Sequence, residues 1–214
     1  MPKNLSAAEV QTFRARLCAV AERRFAERGV DGVSMRQLAD ELGCSPMTPY
    51  RYFRDKEEIL AAVRAAAFDR FATAMEEAAA CAHGDARDMA RRVGEAYLRF
   101  ALSAPDSYRL IFDLSQPDQE RYPDLVRAVT RTRRTMSAFM ETLVAQHVLQ
   151  GDPTLLGFVF WAGIHGIVVL HLAGKLPAKP GLRAIHREMM RLLSLGARNE
   201  APRQRTAAPR GRSS

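Results

Sequence analysis

Apolar residues recur at three- and four-residue steps along most of the chain, and no segment alternates convincingly between apolar and polar positions. The first pattern predicts a helix over 7–28 that stops at Gly29, since glycine is common just past a helix end. Its repeating apolar positions are Val10, Phe13, Leu17, Val20 and Phe25. Because the helical period continues almost throughout, the sequence predicts an all-α protein.

Side-chain capping signals mark the next, short helix. Ser34 and Gln37 have the spacing of a capping box, and Val33 and Leu38 occupy the positions of a hydrophobic staple. The pattern predicts a helix of about two turns that ends at Gly43. A helix this short depends on packing against its neighbours, because its own propensity contributes little.

The stretch GCSPMTPYRYF, residues 43–53, predicts a tight turn followed by another short helix. Ser45 is a candidate N-cap, and Pro46 suits the first helical position, where a backbone N–H has no helical partner anyway. Pro49 removes one early backbone hydrogen bond and biases Thr48 away from helical angles. We therefore expect a distorted first turn in this helix.

The rest of the sequence predicts six further helices separated by glycine, proline and capping residues. A cap at Asp55, with Glu58 three residues later, starts a long helix that runs to about residue 80. The later helices are predicted over 86–103, 106–114, 122–149, 153–174 and 181–196. The tail from Ala197 lacks large apolar residues and is expected to be disordered.

The segment 153–174 contains no Asp, Glu, Lys or Arg and is long enough to cross a bilayer. Two readings of this segment are open. His165, His171 and three internal glycines count against membrane insertion, and the other patterned segments are amphipathic, as in a soluble bundle. These features favour a helix buried on most sides, in the middle of a bundle or at a subunit interface.

Composition and charge narrow the class of partner. The sequence has 214 residues, 47% of them hydrophobic and 26% charged, which is typical of a globular protein, and its net charge is +8. A basic balance favours an anionic partner, either nucleic acid or an anionic membrane surface.

The cysteines and the N-terminus indicate the compartment. Cys18, Cys44 and Cys81 show no metal or disulfide spacing, and the N-terminus has no apolar signal core, so we expect the protein to be located in the cytoplasm.

Residues 25–60, FAERGVDGVSMRQLADELGCSPMTPYRYFRDKEEIL, resemble the DNA-binding domain of the TetR family of bacterial transcriptional regulators. The motif residues that carry this resemblance are Gly43, Ser45, Tyr50, Tyr52, Phe53 and Lys56. Pro49 departs from the family pattern, since many members have leucine or another aliphatic residue there.

A second resemblance, to one TetR-type C-terminal domain, lies in YRLIFDL (108–114) and in Trp161 followed by His165 and Gly166. The two resemblances together imply about nine helices, a homodimer and an effector pocket. The predicted organisation is an N-terminal arm at 1–6, a helix-turn-helix domain at 7–54, a ligand-binding and dimerisation domain at 55–196, and a basic tail at 197–214.

In a helix-turn-helix domain the second helix enters the major groove and its neighbours contact phosphates. Ser45, Pro46, Met47 and Thr48 are predicted to form the leading turn of the reading helix, close to base edges or phosphates. Arg51 is predicted to pair with guanine or a phosphate. The predicted phosphate contacts are Ser34, Arg36, Tyr50, Tyr52 and Lys56. Phe53 is predicted to face the core.

Aromatic and methionine side chains gather in the middle of the sequence, where they form either plain core or the lining of an apolar effector cavity. The predicted pocket residues are Tyr97, Phe100, Tyr108, Phe112, Met136, Phe139, Met140, Trp161 and His165. His165 has two open roles, as a hydrogen-bond partner of an effector or of a buried backbone carbonyl.

A palindromic DNA site requires two copies of the reading head, so a homodimer is expected. The predicted interface uses the uncharged helix and the last helix, through Gly157, Gly163, Val168, Leu172, Leu182, Ile185 and Met189. Glycines there would permit close backbone approach.

The predicted function is a ligand-responsive DNA-binding regulator, most simply a repressor that a small apolar effector releases from its operator. The alternatives are an activator, an effector-independent regulator and, least favoured, a membrane-associated helical protein. The sequence contains no glycine-rich phosphate loop, paired-cysteine metal site or nucleophile elbow, so neither catalytic residues nor a metal or cofactor is predicted. The predicted partners are a double-stranded DNA operator, a second copy of the chain and an effector, with no membrane partner.

Overall fold

The computed structural model describes residues 6–112 and 119–198, which form eight α-helices and two short 3₁₀ turns without any strand. The helices are α1 (Ala7–Arg28), α2 (Met35–Glu41), α3 (Lys56–Ala80), α4 (Ala86–Ser103), α5 (Pro105–Phe112), α6 (Pro123–Ala145), α7 (Pro153–Leu172) and α8 (Gly181–Arg198). The 3₁₀ turns are Pro49–Arg51 and Gln119–Arg121. The predicted all-α class is confirmed for this part of the chain.

Local capping chemistry sets the helix starts that the sequence predicted. The Ser34 hydroxyl accepts a hydrogen bond from the Gln37 N–H, and the Gln37 side chain accepts one from the Ser34 N–H, which completes the capping box of α2. The Asp55 carboxylate accepts from the Glu58 N–H at 2.8 Å and caps α3. Asp152 caps α7 in the same way, with Pro153 at the first position of the helix.

The predicted helix after Ser45 is wrong: residues 46–48 form a turn, and only Pro49–Arg51 is helical, as a 3₁₀ turn. In an α-helix the Ser45 carbonyl would accept from the N–H of residue 49, but Pro49 has none. The Ser45 carbonyl accepts instead from Thr48 at 2.8 Å, which is the tighter 3₁₀-type spacing. Thr48 itself has helical angles, φ −62° and ψ −46°, contrary to the expected bias.

Three other predicted helix ends differ from the structure. Helix α7 ends at Leu172, two residues before its predicted end at 174. Helix α6 stops at Ala145 rather than near 149, because His147 adopts a positive φ of 55°. The Val148 N–H then bonds the Leu143 carbonyl, which is the hydrogen bond of a Schellman motif. Helix α8 continues through Ala197 and Arg198, two residues beyond its predicted end at 196. The predicted tail after 198, arm residues 1–5 and the predicted helix end at 113–114 lie outside the described residues.

The chain divides into two compact units between Phe139 and Met140, a point inside α6. In the first unit α3 packs against α1, α4 and α5. Its head end has a core in which Leu17, Leu38, Phe53 and Ile59 are at most 2% exposed. This core holds α1, α2 and the start of α3 together with Phe53, which follows the turn at 49–51, because each of them contributes a buried apolar side chain.

The second unit contains the end of α6 with α7 and α8, and α7 packs against α8. Gly163 permits this contact: a Cβ atom there would lie 2.8 Å from the Met189 sulfur. By length and composition α7 could cross a membrane, and 22% of its most apolar window is buried within the described chain. Core helices of soluble proteins can be equally long and apolar, so one such helix is weak evidence for a membrane protein.

Candidate nucleic-acid interface

The segment 45–52, here called the recognition turn, extends from the buried head core into solvent. The Ser45 hydroxyl accepts from the Met47 N–H at 3.3 Å, and the Tyr52 N–H donates to the Pro49 carbonyl at 3.0 Å. Pro49 is buried, at the position where the resemblance implies an aliphatic side chain in many members of the family. Pro46 and Pro49 restrict φ at two positions of the turn, although it lacks a full α-helix.

The outer side chains of the recognition turn are available to a partner. Met47 is 68% exposed and Tyr50 is 49% exposed. Arg51 and, at the start of α2, Arg36 are exposed, and neither guanidinium has a hydrogen bond or ion pair within 6–112 and 119–198. Exposed arginines without an internal partner, together with an exposed tyrosine, have the chemistry of a phosphate and base contact surface.

A groove of about 500 Å³ brings three of the predicted phosphate contacts together. Ser34 at the start of α2, Tyr50 in the recognition turn and Lys56 at the start of α3 all line it. Asp31 and Asp55 line it as well, so the groove has both signs of charge. Sequence reasoning assigned these residues one at a time, and the fold places them around one opening.

Two of these side chains already have intramolecular partners. The Lys56 ammonium donates to the Val30 carbonyl at 2.6 Å, which ties the loop before α2 to the start of α3. The Ser34 hydroxyl lies 3.3 Å from the Gln37 N–H and 3.2 Å from its side-chain oxygen. An ammonium has three donors, so Lys56 retains capacity for a phosphate, whereas Ser34 acts first as a helix cap.

Tyr52 points inward rather than away from the head. Its ring stacks on Phe13 of α1, with centroids 4.3 Å apart and an interplanar angle of 24°. Tyr52 is half-buried, and its predicted phosphate contact stays a prediction. The predicted core position of Phe53 is confirmed at 2% exposure.

The sequence did not single out Arg14, the residue that follows Phe13 in α1. Its guanidinium donates to the Tyr52 carbonyl and lies 3.9 Å from the centroid of the Phe53 ring. The contact joins positions 38 residues apart, so no local pattern could have indicated it. An arginine close to Phe13 and Leu17 on a mostly polar helix face carries no distinctive signal.

The predicted pocket residues fall into two groups. In the first unit Tyr97 and Tyr108 are 1% exposed, with hydroxyls 3.0 Å apart. Their rings pack edge-on or tilted among other aromatic rings, those of Phe71, Phe100 and Phe112. Burial, and then the neighbouring Tyr97, raise the pKa of Tyr108 far above its usual range. The Tyr108 hydroxyl is therefore uncharged, as expected in an apolar interior. Met136 and Phe139, also in this unit, are half-buried.

In the second unit Met140 is 8% exposed, and Trp161 and His165 are half-buried on α7. The Trp161 and His165 rings are 5.5 Å apart. Burial lowers the pKa of His165, so the imidazole is neutral at pH 7. Among the described residues, no group of three or more His, Cys, Asp or Glu side chains could hold a metal ion.

The predicted interface residues largely pack inside their own protomer. Val168 is fully buried in its own protomer, so its side chain cannot contact a partner, contrary to prediction. Leu182 is 7% exposed, and its predicted place in an interface stays a prediction. Gly163 faces Met189, and Gly157 faces Met140. Leu172 and Ile185 are half-buried. Among the described residues of this unit, the exposed large apolar side chains are instead Leu155, Phe158, Val159, Val169 and Leu170 on α7, with Leu192 and Leu195 on α8.

Comparison with known proteins gives two family matches. Residues 17–63 match the model described as bacterial regulatory proteins, tetR family. Residues 90–193 match the model described as tetracyclin repressor-like, C-terminal domain. Among curated proteins no sequence match was found.

Solved structures share the fold over nearly the whole chain. A protein of unknown function from Rhodococcus sp. RHA1 is 27% identical, with a TM-score of 0.76, and the alignment covers 92% of this chain and 98% of that one. The TetR family transcriptional regulator PfmR from Thermus thermophilus is 23% identical, with a TM-score of 0.66 and coverage of 83% and 97%. A TetR family transcription regulator from Marinobacter aquaeolei VT8 is 20% identical, with a TM-score of 0.69 and coverage of 87% and 95%.

Proposed function

Since this chain belongs to the TetR family of bacterial transcriptional regulators, we propose that it is a cytoplasmic repressor that binds a palindromic operator as a homodimer. Occupancy of a promoter is enough for repression, whereas activation needs a further protein contact. Binding DNA in this way needs no catalysis and no bound cofactor.

The recognition turn is the observation that carries this proposal. On the outer side of this turn, the side chains of Met47, Tyr50 and Arg51 are exposed to solvent. Pro49 within the turn and Phe53 just after it are buried. Tyr50, Lys56 and Ser34 surround one groove, a geometry that suits a phosphate beside the reading residues. A basic chain with this anchored, projecting turn fits a DNA major groove better than it fits a flat anionic surface.

The exposed apolar face of α7 supports the homodimer. Leu155, Phe158, Val159, Val169 and Leu170 recur at helical spacing on one side of a helix without a charged residue. Soluble proteins rarely leave so extended an apolar face uncovered. A second copy would cover it with an identical face and would supply the second head that a palindrome requires. We place the interface on these residues rather than on Val168.

We place the effector site in the aromatic region of the first unit. The Tyr97 and Tyr108 hydroxyls, 3.0 Å apart, provide a polar pair within an otherwise aromatic interior. A small apolar molecule with one hydrogen-bonding group would match such surroundings. Effector binding would favour a dimer whose heads no longer fit the operator, and a preference of about 3 kcal/mol for that state changes operator affinity over a hundredfold.

The test is selection of bound fragments from random duplex DNA by the purified full-length chain. The expected result is one palindromic motif, bound more weakly as the salt concentration rises. Absence of duplex binding, or binding without any sequence preference, would overturn the proposal. Recovery of the chain in the membrane fraction would favour the alternative of a membrane-associated helical protein, which the apolar α7 suggests.

A further inference from the structure

Helix α1 holds the back of the recognition turn through two adjacent side chains. The Phe13 ring stacks on the Tyr52 ring, and the Arg14 guanidinium donates to the Tyr52 carbonyl. The same guanidinium lies 3.9 Å from the centroid of the Phe53 ring, within cation–π distance. Three contacts from one turn of α1 therefore converge on the two residues that follow Arg51.

We propose that Arg14 is a positioning residue for DNA sequence recognition, which acts by fixing the peptide between Tyr52 and Phe53 and thereby the direction in which Tyr50 and Arg51 project. The inference rests on the proposed DNA-binding function and goes beyond it. Arg14 determines which base sequence the turn prefers without contacting the DNA.

The Tyr52 carbonyl is the group through which this control acts. Tyr52 ends the 3₁₀ turn, and its own N–H donates to the Pro49 carbonyl. Its carbonyl accepts from the Arg14 guanidinium, which supplies the donor that a carbonyl at the end of a helical turn otherwise takes from water. Without Arg14, water would satisfy this carbonyl, and the peptide would be free to tilt.

The geometry also argues against a direct phosphate contact by Arg14. Its guanidinium uses one donor on Tyr52 and one face on the Phe53 ring, and the residue is half-buried. Arg16, two positions further along α1, is exposed and has no partner among residues 6–112 and 119–198. It provides a matched control, because both arginines belong to one helix and their replacement removes the same charge.

The experiment compares the wild type with Arg14→Met, Arg14→Lys and Arg16→Met on two duplexes of equal length. One is the palindrome selected by the wild type, and the other is a scrambled sequence of the same composition. Methionine keeps an unbranched apolar side chain at this position but removes the donor and the charge, whereas lysine keeps the donor and the charge. Dissociation constants are measured over a range of salt concentrations, well below the unfolding temperature that circular dichroism gives for each variant.

The expected result is that Arg14→Met weakens binding to the palindrome at least about tenfold and to the scrambled duplex less than about threefold, with the salt slope unchanged. Arg14→Lys should recover most of the preference, and Arg16→Met should retain it. Equal weakening on both duplexes with a salt slope lower by about one would show a direct phosphate contact and overturn the inference. An unchanged preference in a folded Arg14→Met would overturn it as well. If the wild type itself bound neither duplex, the proposed function would fail before any variant was compared.

Discussion

Tyr50 and Thr48 flank the buried Pro49 but differ in exposure, since Tyr50 is about half exposed and Thr48 is half-buried. We expect Tyr50→Phe to weaken binding to every duplex by about three- to tenfold, because one phosphate hydrogen bond contributes about 0.5–1.5 kcal/mol. Thr48→Ala should instead shift the preference at particular base positions. Competition binding against single-base variants of the selected palindrome measures both. A Tyr50→Phe effect confined to one base pair would contradict the assigned role.

The cysteines give a second prediction at the residue scale. Burial raises the pKa of the Cys18 thiol to about 11, and Cys81 is exposed. Only the thiolate is a nucleophile, so at pH 8 Cys18 should react with iodoacetamide about a hundredfold more slowly than an unperturbed thiol. Mass spectrometry of tryptic peptides over time should find Cys81 modified first. Equal rates for the two cysteines in folded protein would contradict the burial of Cys18.

The sequence predicts some of the individual contact residues and misses others, and the difference has a physical reason. Ser34 and Tyr50 follow from signals within a few residues, namely a capping box and a motif spacing. The inward direction of the Tyr52 ring depends on its contact with Phe13, and the proposed role of Arg14 depends on its contact with the Tyr52 carbonyl. Each contact joins positions at least 38 residues apart in the sequence. Only the packing of α1 onto the recognition turn decides them, and a single sequence does not contain that information.

Among the structural elements, the recognition turn owes its 3₁₀ form to Pro49. Pro49→Leu would restore the missing N–H, so the Ser45 carbonyl could accept from position 49 as in an α-helix. We expect the new amide to exchange at least about tenfold more slowly than an unprotected peptide, and the base preference to change. Pro46→Ala is the control, because an N–H at the first position gains no helical partner. Hydrogen exchange followed by NMR measures both, and an unprotected amide at position 49 would refute the explanation.

Arg131 ties α6 to α3 within the first unit. It bonds Asp69 at 3.1 Å and Glu76 at 2.5 Å, and this second hydrogen bond holds the pKa of Glu76 below its ordinary value of 4.5. A lowered folded-state pKa stabilises the protein above about pH 4.5, and this contribution is lost as the pH falls through the lowered value.

Arg131→Met should therefore lower the melting temperature at pH 7 by about 1–3 °C, a small effect because the pair is partly exposed. The difference from the wild type should be smaller at pH 3 than at pH 7, because protons compete with Arg131 for Glu76 as the pH falls through the lowered pKa. Arg133→Met, which removes an exposed arginine from the same helix, should change little at either pH. Calorimetry at both values checks the prediction, and a pH-independent difference would contradict it.

The helix α7 illustrates where element-level prediction stops. Its start follows from Asp152 and Pro153, and the uncharged run places its end within two residues of the observed Leu172, all from local features. The sequence does not show which face of α7 is exposed to solvent, because the helix is apolar on every side. Val168 packs inward and Phe158 is 63% exposed, although both are large apolar residues. Packing against α8 makes that choice, which is why the predicted interface residues were partly wrong.

For the whole molecule, the proposed interface predicts a change in assembly state. Phe158→Glu would bury an unpaired carboxylate between two copies, which costs about 3 kcal/mol or more, so the dimer dissociation constant should rise at least about a hundredfold. Val126→Glu, at an exposed apolar position of α6 in the first unit, is the matched control. Sedimentation velocity measures the assembly state, and a Phe158→Glu protein that remained dimeric at micromolar concentration would place the interface elsewhere.

The proposed pairing of two copies through the exposed apolar face of α7 would also link gene control to the amount of protein in the cell. Where most copies are single, the number of pairs grows with the square of the total, so doubling synthesis would quadruple promoter occupancy at low dose. A bacterium could then silence its target steeply over a narrow range of expression, without any signal molecule. Dilution at cell division would relieve the silencing just as sharply.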